Sequence, residues 1–493
     1  MRDLRDFLKI LEERSELARI PLSVSPELEI SEITQRVSKG PKDLNKALLF
    51  ENVKESNIPV VTNLFGTHKR MALALGVKDL KELEKRAQGL LGLFSAKTFG
   101  DFFRAGKEVL RSFWSFVPRP KLLKEAPCQE IIKKDAEVNL YELPFLKCWP
   151  KDKGPFITLP QVVTLDPFTG QRNVGMYRLQ VVDKRTLLVH WQRHKVGTHH
   201  QIKAKALGLK AIPCAVVLGG DPACIWAASA PFPPGFDEYL FVNWLRGKPL
   251  EMVRCVSVGL EVPARAEIVI EGFIDLEDLR EEGPFGDHTG YYTPVELFPT
   301  LHVSAITMRA DPIYPATIVG IPPMEDYWLG KATERFFLPF IRLVLPEIVD
   351  IHMPAEGVFH NLLLVSIKKT YPGQARKVIF GLWGLGMMSL TKAIVVVDEE
   401  VELEDLSTVA WYVLGNVDWK RDVVIVEGPV DHLDHSAIQH SFGGKIGIDA
   451  TRKLPEEGHQ RQWPEKVKMS EEIKKTIDEK WPQIFEALKK CGR

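Results

Sequence analysis

The feature that most restricts how this chain can fold is the texture of its middle. Between about residues 125 and 320 the sequence breaks into short β-type runs: ITLPQVVTL, NVGMYRLQVV, TLLVHW, PCAVVLG, AEIVIEGFID and TLHVSAITM. Proline, glycine and turns such as DPFTGQ and DKR separate them. Runs this short and this often interrupted favour a barrel or a sandwich. The flanks read differently. Residues 1 to about 120 mix helical patterns with one apolar strand, PVVTNLFG, and end in a basic aromatic helical stretch, FFRAGKEVLRSFWSFVPRPKLLK, where Pro118 and Pro120 mark a boundary. Beyond about 330, helical and strand patterns alternate (KATERFFLPFIRLVL, NLLLVSI, ARKVIFGLWGLGMM, AIVVVD, DVVIVEG), as in a sheet covered by helices. The expected fold is α/β (α+β), with segments 1–120, 121–325, 326–465 and 466–493.

Both ends predict amphipathic helices. MRDLRDFLKILEERSELARI places Leu4, Phe7, Leu8 and Leu11 at helical spacing and carries acids among its bases, unlike a signal peptide. At the other end Ser470 is a candidate N-cap, and Ile473, Ile477, Trp481, Ile484 and Leu488 share one face. That face needs a partner surface, on its own subunit or on a neighbour, and a homodimer or higher homo-oligomer would provide the latter.

Charge and cysteine narrow the partners. Sixty-five basic residues balance sixty-five acidic ones, so nothing in the overall charge attracts nucleic acid or an anionic bilayer. A small molecule or another protein is the expected partner. Six cysteines without a C-x-x-C pair argue against a zinc ribbon, a redox motif or a disulfide scaffold, and fit a reducing cytoplasm. The most membrane-like window, residues 379–397, is interrupted by Gly381, Gly384, Gly386 and Lys392, and reads as a helix followed by a strand with no transmembrane span.

Three clusters could carry chemistry. In NVGMYRLQ, a straight strand would put Met176 and Arg178 on one face and Asn173 on the other, unless Gly175 allows a bulge. An ordinary half-buried strand with Arg178 in an ion pair is the plainer reading. In HWQRHKVGTHH, a surface loop suits His199 and His200. His194 could bind a metal if Asn173 and Glu238 reach it, and such an N, O, O set suits manganese or magnesium. In EGPFGDHTGYY, Glu282 and Asp287 flank a four-residue turn. Two close carboxylates resist joint ionisation, so one pKa should rise and that group could donate a proton, while Arg178 keeps the other ionised. A surface turn with two solvated acids is the alternative. GGKIGIDAT and GLWGLG fit neither a phosphate-binding loop nor a dinucleotide fingerprint and read as tight turns, and DHLDH at 431–435 reads either as a metal pair or as local capping.

Taken in order, NVGMYR, WQRH, FDEYLF and EGPFGDHTGYY, with LPFLKCWPKD, LEVPARAEIVIEG and KIGIDATRK, resemble the UbiD-type family of reversible (de)carboxylases that use prenylated flavin mononucleotide. The resemblance covers almost the whole chain. It implies an N-terminal α/β domain, a central flavin-reductase-like split β-barrel and a C-terminal α/β domain. It also implies prenylated FMN supplied by a separate flavin prenyltransferase, with manganese held by Asn173, His194 and Glu238 and potassium as an additional ion. Met176, Tyr177, Arg178, His190, Trp191 and Gln192 would line the flavin, with Lys195, Val196 and Lys392 close to it. Arg178, Glu282 and Asp287 match the catalytic Glu-Arg-acid network, Asp287 being the proton donor. HWQRHK, IPPMEDYWLGKATERFFLP and GNVDWKRDVVIVEGPVDHLDHS resemble the branch that decarboxylates a dihydroxynaphthoate on the futalosine route to menaquinone. The polyprenyl-hydroxybenzoate branch of ubiquinone synthesis usually has Arg in place of His190 and Arg-Gly in place of Lys195 and Val196. A quinone-type substrate would bring a cytoplasmic enzyme to the inner-membrane surface. Two other classes remain, a metal hydrolase built on His194 and Glu238, and a non-catalytic assembly protein relying on the terminal helix.

Overall fold

A computed structural model describes residues 1–93, 117–192 and 195–490. Most of the basic aromatic stretch, as well as His194 and Cys491, lies outside the described residues. The first helix, Leu4–Glu13, forms as the spacing predicts: Asp3 caps it by accepting the Asp6 N–H at 3.0 Å, and Leu4, Phe7, Leu8 and Leu11 are buried. Behind it Leu17–Val24 runs parallel to Ala47–Val53, which pairs antiparallel with Val60–Thr62. The fourth strand of this sheet, Tyr314–Pro315, comes from the far end of the middle segment. Apolar side chains follow the same pattern, since Leu4, Phe7, Met71 and Leu83 share one core with Val163, Trp226, Phe241 and Val269.

The middle segment builds a nine-stranded antiparallel sheet. Its path runs Phe156–Ile157, Leu179–Asp183, Thr186–Val189, Glu296–Met308, Ala266–Glu282, Ala211–Gly219, Gln161–Leu165, Arg172–Gly175, with Ile131–Lys134 also pairing to Glu296–Met308. The run NVGMYRLQVV is not one strand. It divides into Arg172–Gly175, at one end of the path, and Leu179–Asp183, next to the other end. Four Cα steps span at most about 14 Å. The open sheet must therefore curl until its two ends approach, which is the form of a split barrel. The two longest strands, Ala266–Glu282 and Glu296–Met308, bend at register shifts after Glu271 and Asp275 and finish with Glu282 opposite Glu296.

The C-terminal segment is a five-stranded sheet in the order Ile348–His352, Leu362–Ile367, Ala393–Asp398, Phe442–Asp449, Val423–Pro429. GGKIGIDAT, expected as a turn, belongs to the strand Phe442–Asp449, because the sheet satisfies its backbone on both sides. Helix Glu325–Val344 joins the two halves of the molecule. Leu329, Ala332 and Phe336 pack in the core shared with residues 1–93, Leu338 and Ile341 pack in the C-terminal core, and Pro339 stands inside the helix. The last helix, Glu471–Lys490, starts with Ser470 Oγ accepting the Ile473 N–H, and its apolar face is exposed. Among the described residues no helix is long and apolar enough to cross a membrane.

Trp226 ties the central helix Pro222–Ser229 to this arrangement, donating from Nε1 to the Leu329 carbonyl at 3.2 Å and packing on Phe241 and Phe336. Trp226→Ala should cost about 3–5 kcal/mol. A thermal melt with no drop in midpoint would show that this packing does not support the fold.

Candidate active site

The site is assembled where the curled sheet nearly closes. Gly175 ends its strand beside the ring of Tyr177, where a Cβ would sit 2.3 Å from ring atoms, so only glycine lets Tyr177 fold back. Tyr177 then accepts the Gly197 N–H at 3.2 Å through its hydroxyl, and Arg178 turns toward the end of the strand Ala266–Glu282. Arg178 donates to both oxygens of Glu282, from Nε at 2.7 Å and Nη2 at 3.0 Å, and from Nη1 to Asp287 Oδ2. Nη2 also reaches His190 Nδ1 at 2.9 Å, and the guanidinium lies 4.6 Å from the centre of the Phe285 ring.

The turn between the acids is held from outside. Gln180 Oε1 accepts the Gly283 N–H at 2.9 Å, Asp152 Oδ1 accepts the Gly286 N–H at 2.8 Å, and Thr293 Oγ1 accepts the Phe285 N–H at 3.2 Å. Glu282 is fully buried and Asp287 nearly so, which excludes a solvated surface turn.

The electrostatics reverse one expectation. Neither carboxyl is raised. Burial alone would raise Glu282, but the neighbouring His190 ring and the doubly hydrogen-bonded Arg178 hold it at about 2. Burial likewise opposes ionisation of Asp287, yet His288 and Arg178 keep it well below the usual carboxylate range. Two acids that share a guanidinium, one of them also facing an imidazolium, no longer repel each other's charge enough to matter. The exchangeable proton sits instead on His288, which is raised to about 9 because Asp287 outweighs the effect of burial. Its Nδ1 donates to Asp287 Oδ1 at 2.8 Å, and Nε2 lies 3.0 Å from His360 Nε2. Burial and the His288 charge lower His360 to about 4, so the neutral His360 is the acceptor.

His288 and His360 were not singled out by the sequence patterns. The adjacency of His288 to Asp287 was a usable signal, whereas nothing local connects it to a residue 72 positions away. Asp326, raised to about 6 by burial, is a further unforeseen acid near this pair.

Of the expected flavin-lining residues, His190 touches Arg178 directly. His190 and Trp191 are buried, and His190 Nε2 and Trp191 Nε1 have no protein partner. Burial and Arg178 lower the His190 pKa, and with the ring neutral Nδ1 accepts from Arg178, leaving Nε2–H as a free donor. Met176, Gln192, Lys195 and Val196 are half-buried. Lys392 pairs with Asp434 at 2.9 Å and with Ser436, both in its own domain. His199 and His200 are not in a loop. They belong to helix Val196–Ala206, with His200 buried against Thr164 Oγ1 at 3.0 Å.

Of the expected metal ligands, Asn173 and Glu238 come together. Asp237 caps helix Glu238–Arg246 and pairs with Arg172 at 2.8 Å, while Glu238 accepts the Val174 N–H at 2.8 Å. Burial pushes the Glu238 carboxyl well above its usual range, and the Asn173 Nδ2 group has no protein partner. A buried acid with one hydrogen bond beside an unpaired amide is chemistry that a cation and an anionic cofactor would satisfy. His194, the third ligand, lies outside the described residues.

Three family models match, the N-terminal, Rift-related and C-terminal domains of 3-octaprenyl-4-hydroxybenzoate carboxy-lyase, over residues 8–89, 121–322 and 327–450. An uncharacterized protein of Aquifex aeolicus is 52% identical over 98% of both chains. The evolved dimeric form of the UbiD-class enzyme HmfF of Pelotomaculum thermopropionicum, in complex with prFMN, superposes with a TM-score of 0.79 at 29% identity, covering 95% of this chain and 97% of that one. Vanillic acid decarboxylase of Sedimentibacter hydroxybenzoicus in its closed form gives 0.84 at 29% identity over 97% and 98%.

His288 is raised from the usual 6.5 to about 9 in the folded protein, so its pairing stabilises fully below about pH 6.5 and is lost as pH rises through 9. The melting temperature of the native protein should fall across that window, whereas His288→Asn should melt lower at pH 6 and lack this component. Identical pH profiles would show that the pair contributes nothing.

Proposed function

Since the chain belongs to the UbiD family of carboxy-lyases, we propose that it removes carbon dioxide, without oxidation, from a dihydroxynaphthoate in menaquinone synthesis. The observation that carries this reading is the buried Glu282–Arg178–Asp287 network beside the unpaired donors of His190 and Trp191. The naphthoate assignment is supported by HWQRHK, IPPMEDYWLGKATERFFLP and the stretch GNVDWKRDVVIVEGPVDHLDHS. A prenylated hydroxybenzoate is the second candidate, disfavoured by His190, Lys195 and Val196.

Prenylated FMN, when bound, supplies the electron sink that no side chain offers to an sp² carbanion. His190, Trp191, Met176, Tyr177, Gln192, Lys195 and Val196 would hold it, with Lys392 approaching from the C-terminal segment. Asn173, His194 and Glu238 would hold manganese against its phosphate, with potassium as an additional ion. The remaining tasks belong to the protein. Loss of carbon dioxide from the carboxylate leaves a carbon that takes up one proton. In this reading His288 passes the proton of its Nδ1–H, which already points at Oδ1, to Asp287, and Asp287 delivers it to that carbon, leaving His288 neutral until it takes up another. Arg178 fixes both acids at once, and Phe285 and Phe298 line the network on its apolar sides. A flavin prenyltransferase supplies the cofactor, and the face of the last helix that carries Ile473 and Trp481 packs on a second copy of the chain. The reading places the enzyme in the cytoplasm, at the inner-membrane surface where quinone-type substrates collect.

Protein co-expressed with a flavin prenyltransferase, purified without oxygen and supplied with manganese should release prenylated FMN at near one per chain and evolve carbon dioxide from the naphthoate. Turnover of the prenylated hydroxybenzoate alone would move the substrate to the ubiquinone branch, and absence of flavin would remove the reading altogether. Asp287→Asn should keep flavin and lose about 100-fold or more in kcat. Full activity there would exclude Asp287 as donor. Glu238→Ala should instead lose the cofactor, and normal flavin occupancy would contradict the metal anchor.

A further inference from the structure

A second set of ligand-type side chains meets away from the cofactor residues. Glu296 begins the strand Glu296–Met308, and it faces two histidines of the loop that links Val423–Pro429 to Phe442–Asp449. His432 Nε2 lies 2.9 Å from Glu296 Oε2, and the rings of His432 and His440 stand 5.3 Å apart at 27°. One ligand atom from each of Glu296, His432 and His440 falls within 4.8 Å of the other two. Among the described residues, no other three histidine, cysteine or acidic side chains converge this closely.

A hydrogen bond between Glu296 and His432 needs no third member. His440 adds nothing to it, yet the chain places the ring there, with Ser441 in the left-handed region at φ 61° directly after it. Two imidazoles and one carboxylate form the N, N, O set of zinc-type sites, in which tetrahedral ligand atoms lie about 3.3 Å apart. Ser441 Oγ lies 3.5 Å from His432 Nδ1, on the side where an outer partner would orient the ring.

We propose that Glu296, His432 and His440 bind a divalent metal ion of the zinc class, separate from any ion at the cofactor. The ligands come from two segments, so the ion fastens the 430–441 loop to the central sheet. Glu296 is the ladder partner of Glu282, and the same loop stacks His435 on Tyr291 at 4.1 Å and pairs Asp434 with Lys392. The ion thus holds the C-terminal segment down over the end of the sheet that carries the acids. The inference does not depend on the substrate or on manganese binding.

The test uses the full-length, chelator-treated protein without flavin, titrated with cobalt(II) and zinc(II) by calorimetry and visible absorbance. The native chain and Glu238→Ala should each bind one cobalt ion per chain with the visible bands of a tetrahedral site, displaced by zinc. His432→Ala, His440→Ala and Glu296→Gln should weaken binding at least about tenfold. His440 is exposed, so its variant should keep the fold, which circular dichroism would check. Cobalt retained by the histidine variants but lost in Glu238→Ala would assign the ion to the cofactor site and overturn the proposal. Failure of the native chain to bind any cobalt would do the same.

Discussion

Arg178 is a buried cation, and the rest of the site exists in this form because that charge must be balanced. Removing one partner from a buried ion pair leaves an uncompensated charge and costs several kcal/mol. Here the balance is complete: Arg178 and protonated His288 face ionised Glu282 and Asp287, two positive charges against two negative ones. A neutral quartet can be buried where any three of its members could not. This is also why both acids remain ionised, and why the proton has been moved one residue along the chain to an imidazole.

The quartet depends in turn on a short piece of backbone. Met176–Arg178 crosses between opposite ends of the sheet path, so the curl of the sheet and the position of the guanidinium are set together. Gly175 permits the crossing, and Glu282 meets it because the strand Ala266–Glu282 ends there. Asp152 and Gln180, from elsewhere in the same segment, hold the turn that carries Asp287. Backbone and charge therefore specify the same geometry.

Much of this could be read in the chain before any coordinates. The interrupted β runs gave the antiparallel sheet, because turn residues act locally, and the terminal helices followed from spacing and caps. Glu282 and Asp287 are close in sequence, and Arg178 joins them as a set only through the family resemblance. What could not be read was sign and distance. The pKa of Asp287 depends on His288 and on Arg178, 109 residues away, and the repulsion visible in the sequence pattern is the smaller effect. His200 was misread as a loop residue because its burial against Thr164 is a tertiary fact, and the strand NVGMYRLQVV looked continuous because its break serves the closure of the sheet. The meeting of His432 with Glu296 is of the same kind, 136 residues apart and invisible to any local pattern.

The helix Glu325–Val344 has a mechanical consequence. Its first half is embedded in the core shared by the N-terminal and central segments, and its second half in a core made only of later residues. Pro339, near the changeover, has no N–H to give to the helix ladder, so the rod is weakest where it passes from one body to the other. It is the axle of the molecule. Two side-chain contacts span the same boundary, His360 with His288 and His432 with Glu296, so any turn about that point would have to break or re-form both.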